Sequence, residues 1–254
     1  MAEYVVIDKE QLESDLTVLA DAIREKGGTS EQLAFPLGMK SAVDSIQSGG
    51  SNFELANYLT LFSNAFKGAV FPSGTEINLY LTQIKGVDTD ASNIALSYMF
   101  SNAVGLKSVK IKTLDNGRSV SSAFGMFQSC KELVLVDFSE FKYEILTCGN
   151  MFYECQNLET ILGELKIIET NAHIFSNVKK LKEVRLARGM LRTSISFTGA
   201  QYLSDASIDS IVNGFADMTG QTSPVLTVHK DVKAKIEANQ TWLSTLTSKN
   251  VTLA

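Results

Sequence analysis

An eleven-residue phrase recurs along this chain of 254 residues and constrains the fold more than any other feature of the sequence. It reads MFQSCKELVLV from Met126 and MFYECQNLETI from Met151, and related copies begin at Met99 and Ile174. The starts of the four copies lie 27, 25 and 23 residues apart. A spacing of roughly 20 to 29 residues is typical of proteins built from stacked structural units. We therefore expect architecture, rather than a chemical site, to explain the repetition.

Four positions of the phrase match in all four copies. Because one unit has too little apolar surface for a core of its own, we expect the matching side chains to form ladders inside a shared core. A weaker copy, LFSNAFKGAVF, begins at Leu61. The four columns are Phe100, Phe127, Phe152 and Phe175; Ala103, Cys130, Cys155 and Val178; Leu106, Leu133, Leu158 and Leu181; and Val109, Val136, Ile161 and Val184.

The segment after each leucine is predicted to be a short strand. Stacked units place these strands in parallel, with one face lining the core and the alternate residues facing outward. The variable stretches between units, such as KTLDNGRSVSSAFG, are predicted to be loops or irregular turns on the opposite side. One outward column is the candidate ligand-binding face, and its members are Lys110, Asp137, Leu162 and Arg185.

These features predict an α/β repeat protein in three parts. A leucine-rich-repeat-like solenoid with short parallel strands is expected over residues 55–200. An N-terminal helical segment is expected over 1–50, because the stretch SGGSN after it has the composition of a linker. A mixed α/β segment over 201–254 is expected to cap the last repeat, since a stack of repeats must cover its final apolar layer.

Within the cap, Ser204 is predicted to begin a helix whose apolar face is Ile208, Ile211, Val212 and Phe215. Residues 225–228 and 251–253 are predicted to be strands. Between them, one further helix is marked by Val232, Ile236, Leu243 and Leu246.

The motif MFxxCxxLxxV resembles the BspA-like branch of leucine-rich repeats over about residues 95–190. This resemblance implies binding, often at microbial surfaces, and not catalysis by the repeat itself. Residues 16–46, which include ADAIREKGGTSEQLAFPLG, are similar to N-terminal segments of tail and baseplate-associated proteins from phages of Gram-positive bacteria. The segment from Leu203 to the end resembles the closing part of phage-encoded BspA-like proteins. Both ends therefore imply the same setting, a phage particle.

The N-terminal segment carries a narrow apolar stripe at helical spacing, which we interpret as a candidate oligomer surface. Such a stripe is more useful when it is buried against copies of itself or a helical partner. The phage setting, and not the spacing, favours a trimer. The stripe consists of Leu12, Leu16, Leu19 and Ile23.

Composition excludes several classes of partner. The net charge of −5 gives no reason to expect nucleic acid as a partner. No apolar run approaches the roughly 20 residues that cross a bilayer, so membrane insertion is not expected. The start of the chain shows no secretory signal pattern. Three cysteines give no disulfide framework, so folding in a reducing cytoplasm is expected.

Chemical sites are each weighed against a structural alternative. A zinc site could use the ligand types found in Cys130, Cys148, Cys155 and His173. However, the repeat position of Cys130 and Cys155 is held by Ala103 and Val178 in the other copies, so this position favours a small apolar side chain in the core. We therefore predict no metal and no cofactor. A glycosidase needs only two acids at the right separation, and acids recur at Glu154, Glu159, Glu164 and Glu169. Solvated surface positions are the preferred interpretation of these acids.

One basic cluster is a candidate site for an anionic polymer such as teichoic acid, or for an acidic patch on a protein. The alternative is an ordinary charged surface near the cap, which is what most charged runs form. The cluster contains Lys179, Lys180, Lys182, Arg185, Arg188 and Arg192.

The sequence thus favours a non-enzymatic binding protein of a phage or phage-like particle, located in the tail or baseplate and engaged in receptor binding. Expected partners are a protein or cell-surface glycan of a bacterial host, other virion proteins and copies of the chain itself. The alternative is a host-encoded BspA-like adhesion protein at the cell surface. A polysaccharide-degrading enzyme is the third hypothesis.

Overall fold

The structure is a computed structural model that describes residues 52–57, 63–81, 94–113, 119–171 and 173–254. Most of its regular elements are short strands in parallel sheets, with few helices. In chain order the elements are β1 (Asn52–Asn57), β2 (Val70–Leu81), β3 (Ile94–Ala95), β4 (Val104–Thr113), β5 (Ser119–Ser122), β6 (Leu135–Glu140), β7 (Glu144–Thr147), β8 (Thr160–Leu165), β9 (Ile167–Glu169), β10 (Glu183–Leu186), β11 (Ile195–Phe197), α1 (Asp205–Gly214), β12 (Val225–Val228), α2 (Lys230–Ala238), α3 (Gln240–Ser248) and β13 (Thr252–Leu253).

One parallel sheet, here called the front sheet, contains the strands that follow the repeated phrase. Its order is β1-β2-β4-β6-β8-β10, so each unit adds its strand beside that of the unit before it. Val109 pairs with Val136, and Val136 pairs with Ile161. The predicted short parallel strands are confirmed.

The segments predicted to be loops on the opposite side form a second parallel sheet, so that prediction was wrong. This back sheet has the order β3-β5-β7-β9. Its strands are only two to four residues long, yet β5, β7 and β9 each supply one apolar side chain that is buried. Val120, Ile145 and Ile167 form this additional column. The columns of the repeated phrase therefore pack between two sheets.

The phenylalanine column forms a continuous stack through the core. Ring centroids of Phe100 and Phe127 lie 5.6 Å apart, as do those of Phe127 and Phe152, and the planes in each pair are nearly parallel. Phe152 and Phe175 follow at 5.4 Å. Every member of the four columns is at most 2 % exposed. The expected ladders inside a shared core are therefore present.

The turns before β2, β4, β6 and β8 link neighbouring units through backbone N–H groups at about every second residue. In the unit that begins near Met99, the N–H groups of Tyr98, Phe100 and Asn102 donate to carbonyls of the next unit at 2.7–2.8 Å. The intervening N–H groups close i to i+3 turns within their own unit. Tyr98 and Asn102 have positive φ angles of 57° and 59°, a conformation that asparagine tolerates better than most residues. The phrase therefore encodes a turn as well as a core.

The stack extends beyond the four clear copies at both ends. On the N-terminal side, Phe66 stacks on Phe100 at 5.4 Å, so this unit is real but lies four residues later than the alignment that began at Leu61. Thr75 occupies the place of the leucine, pairing with Leu106. On the C-terminal side, Phe197 stacks on Phe175 at 4.6 Å, which adds a turn that the sequence analysis missed.

The C-terminal turn ends in a helix where earlier units have a strand. Ser204 is the N-cap of α1, as predicted, and its side chain accepts a hydrogen bond from the N–H of Ser207. The hydroxyls of Ser207 and Ser210 bond to the backbone of β10, taking the place of a further strand. The boundary drawn at residues 200/201 falls inside this turn.

The rest of the C-terminal segment forms a small three-stranded parallel sheet, β11-β12-β13, covered by helices. The predicted strand over 225–228 is present, and the closing strand is Thr252–Leu253. The single helix expected between them is two helices, because Asn239 ends α2 and caps the start of α3 with its side chain. Within the part of the chain that the structure describes, no helix is long and apolar enough to span a membrane. The predicted N-terminal helical segment and its stripe of Leu12, Leu16, Leu19 and Ile23 lie outside the described residues.

Candidate binding face

Three of the four residues proposed for the ligand face are neighbours on the front sheet. Lys110 pairs with Asp137, and Asp137 pairs with Leu162, so the three side chains form one outward row across β4, β6 and β8. Asn78 of β2 extends the row in the other direction. Leu162 is 41 % exposed, although leucine is usually a buried residue. The row therefore combines an amide, a cation, an anion and an apolar group.

Arg185 does not continue this row, so the predicted four-residue column is wrong at its last position. The register between β8 and β10 shifts, and Arg185 pairs with Glu164 rather than Leu162. The shift occurs next to Gly163, whose φ is +79°. A Cβ atom at this glycine would lie 2.5 Å from the carbonyl carbon of Phe138, so the backbones approach too closely for another residue. A bulge of this kind changes where later side chains point.

Lys110 of the row and the nearby Lys112 both pair with Glu140, a carboxylate that was not predicted as part of this face. Glu140 lies 2.7 Å from Lys110 and 2.6 Å from Lys112, while the carboxylate of Asp137 is 3.9 Å from Lys110. Hydrogen bonds from the two lysines lower the pKa of Glu140 to about 2. A small recess of about 100 Å³ lies between this network and Asn78. Glu140 was missed because a register shift next to Lys112 brings it beside the lysines.

The predicted basic cluster is divided between separate surroundings. Lys179 and Lys180 are exposed in the turn before β10, and Lys182 bonds to Glu159 at 2.7 Å. Arg185 and Arg188 instead line a groove beside α1. Arg192 lies beyond that groove and donates its backbone N–H to the carbonyl of Ile168, at the back sheet. The structure thus brings together only parts of this cluster.

The groove beside α1 has a volume of about 330 Å³ and lies between the front sheet and the cap. It contains two arginines, two carboxylates and the side-chain amide of Asn213. The sequence did not predict that Glu164 and Asp209 lie beside the two arginines. A sequence signal exists, because Asp209 and Asn213 lie four residues apart on one face of a helix. The groove is lined by Glu164, Arg185, Leu186, Arg188, Ala206, Asp209, Ser210 and Asn213.

The three cysteines are buried in the core. The thiols of Cys130 and Cys155 donate to the carbonyls of Phe100 and Phe127 in the preceding units, at 2.9 and 3.0 Å. Burial raises the pKa of Cys130 and of Cys148 to about 12, and that of Cys155 well above its ordinary value. Such thiols are poor nucleophiles, because reactivity requires the thiolate.

The acids considered for glycoside hydrolysis lie in different places. Glu154 is in a turn and accepts a hydrogen bond from Ser129, whereas Glu159 pairs with Lys182 beside β8. Glu164 lines the groove on the front sheet, and Glu169 is on β9 of the back sheet. Among the residues that the structure describes, no group of three or more His, Cys, Asp or Glu side chains is placed to hold a metal ion.

Comparison with known proteins gives no further assignment of these surfaces. No protein-family model, no curated protein and no solved structure matches the chain.

Proposed function

We propose that this chain is a non-enzymatic binding protein of the tail or baseplate of a phage or phage-like particle. In this proposal, residues 55–200 form a leucine-rich-repeat-like solenoid that presents its front sheet to a protein or glycan of the host surface. The resemblances at the two ends of the sequence support the phage setting. The protein has no catalytic step in this proposal, and its chemistry is recognition.

One observation carries the choice of the front sheet. The columns that face the core repeat the same residue types, whereas the adjacent outward row reads Asn78, Lys110, Asp137 and Leu162. Core packing does not dictate the chemistry of outward positions, so selection for a ligand is free to vary them. Successive strands lie about 4.8 Å apart, so four residues span about 14 Å, comparable to a short peptide or a few sugar rings. Extended sheet surfaces are also what repeat proteins use for binding.

The test is binding of the purified protein to host cells or cell-wall material after both charges of the row are removed, Lys110→Gln with Asp137→Asn. A matched control is Lys233→Gln with Glu237→Gln, which removes one cation and one anion from an exposed ion pair on α2. We expect the face variant to lose at least tenfold in affinity and the control to bind as the wild type does. Equal binding by both variants, at unchanged melting temperature, would exclude the front sheet as the binding face.

The particle setting is tested separately. Proteomics on purified particles and on cell-wall fractions should find the chain in the particles. Detection in cell walls alone would instead support a host adhesion protein. Light scattering on the full chain and on a chain without residues 1–50 should show that only the full chain associates, most simply as a trimer.

A further inference from the structure

Within the described part of the chain, the groove beside α1 differs from the rest of the front sheet because its cationic side chains are not paired with carboxylates. Elsewhere on the front sheet, cations lie against carboxylates: Lys107 is 3.8 Å from Glu76, and Lys182 is 2.7 Å from Glu159. In the groove, by contrast, Arg185 lies directly opposite Glu164 on the neighbouring strand. Even so, among the described residues the side chains of Arg185 and Arg188 form no ion pair or hydrogen bond. Two guanidinium groups therefore line a concave surface with their donors available.

A third cation increases the positive potential at this place. Lys249 donates hydrogen bonds to the carbonyls of Asn213 and Phe215 at 2.8 and 2.6 Å, which caps the C-terminal end of α1. Burial lowers the pKa of Lys249, and the nearby charge of Arg188 lowers it further. The charges of Arg188 and Lys249 therefore disfavour each other, and an anion bound at Arg188 reduces that cost. Arginine is also the residue best suited to bind a carboxylate or phosphate through two parallel hydrogen bonds.

The groove also contains acceptors, which argues against a bare inorganic anion as its ligand. Glu164 and Asp209 would repel a free phosphate or sulfate, but ionised carboxylates are good acceptors for the hydroxyl groups of a ligand. The amide of Asn213 adds a group of mixed hydrogen-bonding character. A volume of about 330 Å³ is at the small end of the range for ligand sites, and boundaries between structural parts are common places for them. A molecule that carries one oxyanion and several hydroxyls satisfies all of these groups.

We propose that the groove between β8, β10 and α1 binds an acidic saccharide unit, with its oxyanion held by Arg185 and Arg188 and its hydroxyls donating to Glu164 and Asp209. The choice of a saccharide rests on the proposed function, because a host surface presents glycans. The oxyanion is the carboxylate of a uronic acid or the phosphate of a sugar phosphate. Both satisfy the same two guanidinium groups.

The chain contains its own reporter for this site. It has a single tryptophan, Trp242, and the indole N–H of that residue donates to the carboxylate of Asp209 at 2.9 Å. A ligand that bonds to Asp209 should therefore shift the indole N–H signal in a proton–nitrogen NMR spectrum. The titration uses the full chain with glucuronate, glucose 6-phosphate, glucose and inorganic phosphate. We expect a saturable shift with glucuronate or glucose 6-phosphate, at an affinity at least tenfold higher than with glucose or phosphate alone.

Variants of the exposed arginines then identify the groups that hold the oxyanion. Arg185→Gln and Arg188→Gln should each weaken binding about tenfold, because a hydrogen bond to a charged group is lost. Lys182→Gln removes an exposed cation that lies just before β10 and outside the groove, and this variant should bind as the wild type does. Which of the two acidic probes binds distinguishes a carboxylate from a phosphate ligand.

Three outcomes would overturn the proposal: equal affinity for glucose and the acidic sugars, equal affinity for inorganic phosphate, or unchanged binding by both arginine variants. A positive response to a short acidic peptide, with none to the sugars, would likewise replace the saccharide by a protein partner. The result also stands apart from the proposed function. Cell binding by a wild-type chain whose Trp242 signal does not respond to the sugars contradicts only the groove, whereas sugar binding without cell binding contradicts only the receptor-binding role.

Discussion

Ser207→Ala is expected to destabilise the protein although it removes a single oxygen atom. The Ser207 side chain is fully buried, and its hydroxyl accepts a hydrogen bond from the N–H of Val184 at 3.0 Å. The same hydroxyl lies 3.1 Å from the carbonyl of Lys182, to which it donates. These are backbone groups at the open edge of β10, where a further unit would otherwise supply the partners. Alanine at this position therefore leaves an N–H group buried without a partner.

The magnitude follows from that N–H group. A buried donor without a partner costs about 1 to 3 kcal/mol. The Lys182 carbonyl contributes less, because it also accepts a hydrogen bond from the N–H of Ser204 at 2.9 Å, which remains in the variant. Alanine also has a helix propensity about 0.5 kcal/mol better than serine, which offsets part of the loss. We expect the free energy of unfolding to fall by about 1 to 2 kcal/mol.

Urea unfolding of the wild type, Ser207→Ala and Ser244→Ala measures this difference. Ser244 is a matched control, because it lies on the exposed side of α3 and its hydroxyl bonds only within the helix, to the carbonyl of Thr241 at 3.0 Å. Amide hydrogen exchange should accelerate at Val184 in Ser207→Ala and remain unchanged in the control. Equal stability of the two variants, with unaltered exchange at Val184, would refute the argument that this hydroxyl substitutes for a strand.

Three further measurements check the core and the surface charges. Leu133→Ala should cost about 2 to 5 kcal/mol of unfolding free energy, whereas the exposed Leu162→Ala should change it by less than about 0.5 kcal/mol; equal losses would contradict the assigned burial. The pKa of Glu140 is depressed, so its ion pairs stabilise the fold fully above about pH 4.5, and this contribution is lost as the pH falls toward about 2. An NMR titration should place the carboxyl midpoint near 2, and Lys110→Gln should raise it; an ordinary midpoint would refute the pairing. The three cysteines should not react with a thiol reagent at pH 8 in the folded protein but should all react in guanidinium, and fast labelling of the native state would contradict their burial.

The sequence predicted the centre of the repeat stack better than its ends, because there four copies repeat the same spacing. At the N-terminal end, LFSNAFKGAVF offers three phenylalanines, and Phe66 is the one that stacks on Phe100 of the next unit. Thr75 takes the position of the leucine there. This polar residue is buried, and its hydroxyl donates a hydrogen bond to the carbonyl of Pro72 at 2.6 Å. No hydrophobic pattern indicates that exchange.

The missed turn at the C-terminal end has a different cause. Phe197, Ala200 and Leu203 repeat the spacing of phenylalanine, small residue and leucine, so the core part of the signal is present. The helical pattern that begins at Ser204 is stronger locally, and it led to a boundary drawn before the turn was complete. One segment therefore belongs to the repeat in its first half and to the cap in its second half.

The outward row shows how far strand alternation can be used for prediction. Alternation correctly placed Lys110, Asp137 and Leu162 beside one another, because the strands there pair without interruption. It failed at Arg185 because Gly163 introduces a bulge. A glycine within a strand is a known sign of a bulge or of close backbone approach, so the deviation had a sequence signal. The number of extra residues in the bulge decides which residue pairs with Arg185, and it depends on the close approach of Gly163 to the backbone of Phe138 in the neighbouring unit.

The way the stack ends also explains why a groove exists at this place. A strand added beside β10 would lie about 4.8 Å away and continue the surface of the sheet. A helix is about 10 Å across with its side chains, so α1 rises above the sheet when its serines bond to β10. The step between sheet and helix forms the wall of a concavity, and the exposed side chains of β8 and β10 form its floor. The serine contacts that protect the open edge of the sheet therefore also create the recess that Arg185 and Arg188 line.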